Sequence, residues 1–212
     1  MNKFYQFLTS LIKNKGYLIV AVIIILTAFL GYNIKNVGVE ADILSILPPD
    51  DPVVQKFRET GDKFGGNTIG LVIIESDSLF SYPVLSGISK MEDSYKEIEG
   101  VGFTQSLISM IDIRKTRQGI EVSRLIGDEI PDDRKTLDSL KSYILSREMY
   151  RRVIVSEDGR YAAIIVRIME GYDRNEIGLE IREVTERLRK DLNVEVYYSG
   201  LPLLMTFVNE II

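Results

Sequence analysis

Protein chemistry needs a base, a nucleophile, a metal ligand or a phosphate cradle, and this 212-residue chain is poor in all four. It has no histidine and no cysteine, which removes the common proton shuttle, the thiolate nucleophile and the imidazole or thiolate ligands of zinc. Ser10-Leu11-Ile12-Lys13 spells S-x-x-K, but it lies just ahead of the longest apolar run in the chain and reads as chance. There is no P-loop and no G-x-G-x-x-G turn, so direct nucleotide hydrolysis is not expected. Asp42, Asp50 and Asp51 are close in sequence and could in principle form a metal or proton site, yet helix capping and turn formation explain them more cheaply. No pair of carboxylates stands out for glycosidase or acid-only metal chemistry. We therefore assign no catalytic, cofactor-binding or metal-ligating residue, and read the chain as a non-enzyme without a cofactor. A net charge of −5 and the lack of a basic stripe argue against nucleic acid as a partner.

What the sequence offers instead is a membrane signal. Gly16 to Ile34 carries no charge, and its roughly 19 residues reach about 28 Å as a helix, close to the hydrocarbon thickness of a bilayer. Tyr17 and Tyr32 stand at the two ends, where phenol rings favour the headgroup level. A cleaved signal peptide and a buried core helix are the competing readings of the run. Lys3, Lys13 and Lys15 precede it, whereas Lys35 alone follows before Glu40 and Asp42, so the N-terminus is expected on the cytoplasmic side and the main domain outside the cell membrane. Phe4, Phe7, Leu8, Leu11 and Ile12 recur at helical spacing, which suits either an interfacial helix over residues 1–15 or a disordered tail.

Residues 35–66 read as a linker and a connecting helix. Pro48-Pro49 blocks helix, Asp50 or Asp51 can cap a new one with Pro52 in its first turn, and Gly65-Gly66 ends it. Residues 67–200 are long enough to bury a core of their own. Thr68–Ser76 is a continuous apolar run that predicts a central strand covered on both faces or nearly so. A helix from a Ser81 cap to Glu97 puts Val84, Leu85, Ile88, Met91, Tyr95 and Ile98 on one face. Val101–Ile108 predicts a second strand. An insertion follows, with a short strand over Gly119–Ile126 and a helix behind Pro131 carrying Leu137, Leu140, Ile144 and Met149. Arg152–Ser156 and Arg160–Met169 flank Glu157-Asp158-Gly159 and read as a hairpin. Asp173 and Glu176 open a helix over Ile177, Ile181, Val184 and Leu188, and a last strand alternates through Val194, Val196 and Tyr198. Without the insertion the order is strand, helix, strand, strand, helix, strand, an α+β, ferredoxin-like arrangement.

These features together resemble the start of the resistance-nodulation-division (RND) superfamily, in particular its MmpL-like hydrophobe exporter branch. The likeness rests on the basic-flanked span, ADILSILPPDDP, the helix ending in KFGG, TIGLVIIES, GVGFTQSLISMIDI, VSEDGRYAAIIVRI and YYSGLPLL, in that order. The resemblance implies a first transmembrane helix (16–34), a porter-type outer domain with an insertion (67–200), and the start of a second, truncated transmembrane segment (201–212). It further implies a proton-driven exporter of lipids or other hydrophobic molecules. Its partners would be membrane lipid, the remaining transporter helices, a second porter domain and the hydrophobic substrate, with a homo-oligomer left open. Relay carboxylates in such proteins lie in later membrane helices, and none falls in this chain. For a substrate path, Leu107, Ile108, Met110 and Ile111 beside the insertion are the candidates, against ordinary core packing. The rival of another class is a single-span anchored interaction domain, in which Leu203 to Ile212 must pack back on the domain or expose apolar surface.

Overall fold

The structure is a computed structural model that describes the backbone of residues 2–33, 47–48, 50–116 and 119–211, with side chains described except at 2–15, 33, 62, 116 and 208–211. Asp42 and Pro49 lie outside these residues. The chain forms two units, Met1–Glu40 and Ala41–Ile212.

The first unit is a single helix, α1 (Asn2–Asn33, 32 residues). The interfacial segment and the apolar run expected as two pieces are one uninterrupted helix. Among the described residues no helix is long and apolar enough to cross a membrane. The described side chains of α1, residues 16–32, are nevertheless mostly apolar and exposed, with Ile25 at 68% and Phe29 at 64%. Over residues 16–32 the helix is apolar all round and has no polar face to offer to water.

The second unit opens with α2 (Pro52–Phe64). Asp51, not Asp50, is its cap, accepting from the Val53 amide at 2.7 Å. Six further elements build the main layer: β1 (Thr68–Glu75), α3 (Tyr82–Lys96), β2 (Val101–Gln105), then, beyond the insertion, β5 (Tyr161–Ile168), α5 (Arg174–Leu188) and β6 (Glu195–Ser199). The insertion holds β3 (Ile111–Thr116), β4 (Gly119–Arg124) and α4 (Arg134–Ser146). The strand order is β2-β5-β1-β6, and every pairing is antiparallel. The expected α+β class with antiparallel sheets is what forms.

Alternation along the strands decides which side is covered. Val72 and Ile74 of β1 and Ala162, Ile164, Val166 and Ile168 of β5 are buried against Leu85, Ile88, Met91 and Tyr95 of α3 and Ile177 and Ile181 of α5. Each such fully buried aliphatic side chain contributes about 1.5–3 kcal/mol relative to exposure. The Tyr95 and Thr185 hydroxyls, both buried, meet at 2.5 Å and pin α3 to α5. The other face of β1 is not covered in the same way: Ile69 is exposed and Leu71, Ile73 and Glu75 are half-buried. The strand expected to be covered on both faces or nearly so is thus fully covered on one face and partly covered on the other. Both helices lie on one side of an antiparallel sheet, which can leave its second face open.

Other local readings need correction. β2 stops at Gln105, because Ser106–Met110 turns back, with the Met110 amide bonded to the Ser106 carbonyl. β3 was not foreseen as a strand. Arg152–Ser156 is a hairpin arm only at its end: Arg152 is left-handed at φ 67°, whereas Ile154–Ser156 turns back on Tyr161–Ala163 through the antiparallel Val155–Ala162 bridge and the Ser156 and Ala163 amides. α4 ends at Ser146, leaving Met149 beyond it and half exposed. Ser81 starts α3 without a side-chain capping bond, whereas Asp173 caps α5 through the Asn175 and Glu176 amides.

The last helix, α6 (Leu201–Ile211), begins directly after β6. Gly200 makes the corner at φ 88°, a backbone setting that favours glycine. Leu203 and Thr206 are buried, and a β-carbon on Gly178 of α5 would lie 2.8 Å from the Pro202 carbonyl oxygen. The first turns of the segment expected to enter a membrane are thus seated on the domain.

Candidate functional site

The four expected substrate-path residues do not share one surface. Leu107 is wholly buried in the common core, Ile108 and Met110 are half-buried against it, and Ile111 is 54% exposed. Ile111 is the first residue of the β3–β4 ribbon, whose register pairs it with Arg124, Ile113 with Val122 and Lys115 with Ile120. Residues directly opposite in an antiparallel pair point to the same side. One face of the ribbon therefore carries Ile111, Ile113, Ile120 and Val122, all more than half exposed, with Lys115 and Arg124 at its margins.

The ribbon is anchored through its opposite face. Asp112, 1% exposed, accepts the Tyr150 hydroxyl at 2.6 Å and the Tyr143 hydroxyl at 2.9–3.0 Å, and pairs with Arg114 Nε. The Arg114 guanidinium also lies over the Tyr143 ring, 4.5 Å from its centroid, with Arg147 at 5.1 Å over the same ring. Burial pushes the Asp112 carboxyl up, but bonds from Tyr150, Arg114 and Tyr143 outweigh it and hold the group below the ordinary aspartate value. The Tyr150 hydroxyl is pushed up, by burial first and by the adjacent carboxylate second. This carboxylate is an ionised acceptor, not a base waiting for a proton.

A second apolar surface is the open side of the sheet. Ile69, Phe103 and Tyr197 are exposed there, and Arg167 packs its guanidinium 5.1 Å from the Phe103 ring centroid while donating to the Phe64 carbonyl. At the other end of this face Glu75 accepts from Tyr161 at 2.8 Å, Tyr197 at 2.9 Å and Arg160 at 3.2 Å. Those tyrosine hydroxyls hold its carboxyl below the usual glutamate value. A third carboxylate, Glu92 on α3, is 2% exposed and receives the Ser106 hydroxyl and, at 3.4 Å, that of Thr104, with Lys96 at its rim.

Among the described residues no group of His, Cys, Asp and Glu could hold a metal ion. Glu92 and Asp112 are both engaged by hydroxyl donors, and for Asp112 the donors stabilise the ionised form and leave little basicity for proton abstraction. The depression beside Arg134, Lys135, Asp138, Ser139 and Ser142 runs along one solvated face of α4. What the geometry can do is present apolar surface. Asp112 and Glu92 were missed in the sequence, though each had a signal: Asp112 is a lone acid between Ile111 and Ile113 at strand spacing, and Glu92 sits four residues after Ile88 on the apolar side of a helix.

No family model matches the chain. It is similar to "Putative membrane protein MJ1562" of Methanocaldococcus jannaschii, with 26% identity over 213 residues that cover 94% of this chain and 51% of that protein. The chain spans about half the length of the curated relative it matches.

Proposed function

We propose that this chain is the N-terminal part of a proton-driven RND transporter of the MmpL-like branch, exporting lipids or other hydrophobic molecules. In this reading α1 is the first membrane helix and Thr68–Ser199 is a porter-type, ferredoxin-like domain on the outer side of the cell membrane. The observation that carries it is the row of exposed apolar side chains along α1 from Tyr17 to Tyr32, which water would not tolerate on an isolated helix. Two further facts support it. The order β2-β5-β1-β6, with helices crossing one face, matches the split βαβ arrangement, and the relative carries the name "Putative membrane protein MJ1562" and is about twice as long, which leaves room for a second repeat. The relay carboxylates would lie in other helices of the complete protein.

A second reading, a single-span anchored interaction domain, is favoured by one observation: α6 packs Leu203 and Thr206 into the domain instead of leaving them to lipid. One experiment separates the two. The full-length protein, reconstituted in liposomes with an imposed pH gradient, is expected to move a fluorescent lipid analogue only while the gradient lasts. Equal movement without the gradient would remove the proton coupling, and no movement under any gradient would favour the anchored domain.

A further inference from the structure

We propose that the β3–β4 ribbon is a lipid-contacting arm whose Ile111, Ile113, Ile120 and Val122 face docks on a membrane surface rich in anionic headgroups. Four β-branched side chains, between 54% and 76% exposed, stand on one face of a two-stranded ribbon. Isolated exposed isoleucines are ordinary, but a contiguous row marks a contact surface. The arm is braced from behind, since its other face is fixed to α4 and the following turn through Asp112, Tyr143 and Tyr150.

Charge selects the occupant. The apolar face carries two cations, Lys115 and Arg124, and no acid, because Glu121 pairs across from Arg114 on the opposite face. Asp128 and Glu129 follow only past the root of the arm. Both charges on this face are thus positive in a chain of net charge −5. A second copy of the ribbon packed face to face would bring cations to cations with no carboxylate between them, which opposes self-association. An anionic lipid surface meets both demands, taking the isoleucines among its upper acyl chains and the cations at its phosphates. A two-stranded ribbon is not a closed barrel, so the arm sits at the headgroup boundary and its backbone does not enter the hydrocarbon.

The inference rests on the membrane reading of α1, and the experiment keeps the two apart. The chain has no native cysteine, so Ile120→Cys in the full chain accepts one environment-sensitive fluorophore at a position that is 76% exposed and outside the core. Val122→Cys serves as the second site, and Glu183→Cys on the solvated side of α5 as the reference. In nanodiscs containing phosphatidylglycerol, emission from both arm sites is expected to shift to the blue and to be quenched by spin labels at the headgroup level. Glu183 should stay unshifted. Removing Lys115 and Arg124 together (K115Q/R124Q) should weaken the contact about fivefold per cation. Arm emission equal to that of Glu183 in anionic discs would overturn the proposal. So would a shift that needs two chains in one disc and persists in purely zwitterionic lipid, which would identify a second copy as the occupant. A chain that fails to enter discs refutes the reading of α1, and the arm is then read by adding phosphatidylglycerol vesicles to the same labelled protein.

Discussion

Replacing Asp112 with alanine tests how the arm is fixed. The carboxylate is 1% exposed and receives donors from Tyr150, Tyr143 and Arg114. Hydrogen bonds to a charged group contribute about 1.5–3 kcal/mol each, and a buried hydroxyl left without a partner costs about 1–3 kcal/mol. Three offsets reduce the sum. Arg114 is 43% exposed and regains water, Tyr143 is half-buried, and Tyr150 keeps the Ile111 carbonyl as a weak acceptor at 3.4 Å. We expect Asp112→Ala to cost about 2–4 kcal/mol, mostly through Tyr150, and to lower Tm by roughly 4–16 °C for a unit of this size. Tyr150→Phe alone should cost about 1.5 kcal/mol, and the double variant less than the sum by about 1 kcal/mol, since the two groups share one bond. The assay is urea unfolding of the full chain in detergent, followed by tyrosine emission, with amide exchange read separately for β3–β4 and for β1. Loss of protection should appear first in the ribbon. A cost below about 0.5 kcal/mol, or strict additivity with Tyr150→Phe, would show that the clamp does not hold the arm.

Three other outcomes follow from the same geometry. Glu75 has its folded pKa depressed by Tyr161 and Tyr197, so its contribution is present above the unfolded glutamate value and lost as pH falls through the depressed folded value; Tyr161→Phe with Tyr197→Phe should raise that midpoint in an NMR titration. Gly178→Val should destabilise the domain by about 1–3 kcal/mol by driving side-chain carbons into Pro202 and Thr206, and protease should then cut after Gly200, whereas wild type resists. Thr185→Val leaves the buried Tyr95 hydroxyl without its partner and should cost about 1–3 kcal/mol in denaturant melts, with Tyr95→Phe in the same chain recovering part of it.

The main layer was legible because its signals are local. The core strand over Tyr161–Ile168, the Asp173 cap and the apolar face of Tyr82–Lys96 all follow from residue order. Thr68–Glu75 was legible as a strand but not as a one-sided one, since Ile69, Leu71 and Ile73 are apolar whichever way they face. That ambiguity belongs to any continuous apolar strand. The ribbon was half legible: a strand over Gly119–Ile126 was expected and forms over Gly119–Arg124, but Ile111–Thr116 was hidden by a sequence, IDIRKT, in which the buried residue is the acid while both isoleucines are exposed. Only the tyrosines supplied by the segment after Pro131, 31 and 38 residues away, invert that pattern. Of the candidate path residues, Ile111 alone reaches an exposed face, because Leu107 is spent on the core.

The join between Gly200 and α6 has a mechanical meaning. No flexible spacer separates β6 from the helix, and Leu203 sits against Gly70 of the central strand while Pro202 abuts Gly178. Phe207, farther along, is gripped by the Arg182 guanidinium at 4.6 Å and the Tyr198 ring at 5.8 Å. A push delivered to the far end of α6 is therefore not absorbed at a hinge. It arrives at β1 and β6 as a displacement of the sheet, making the helix a lever whose fulcrum is the pair of glycines it rests on.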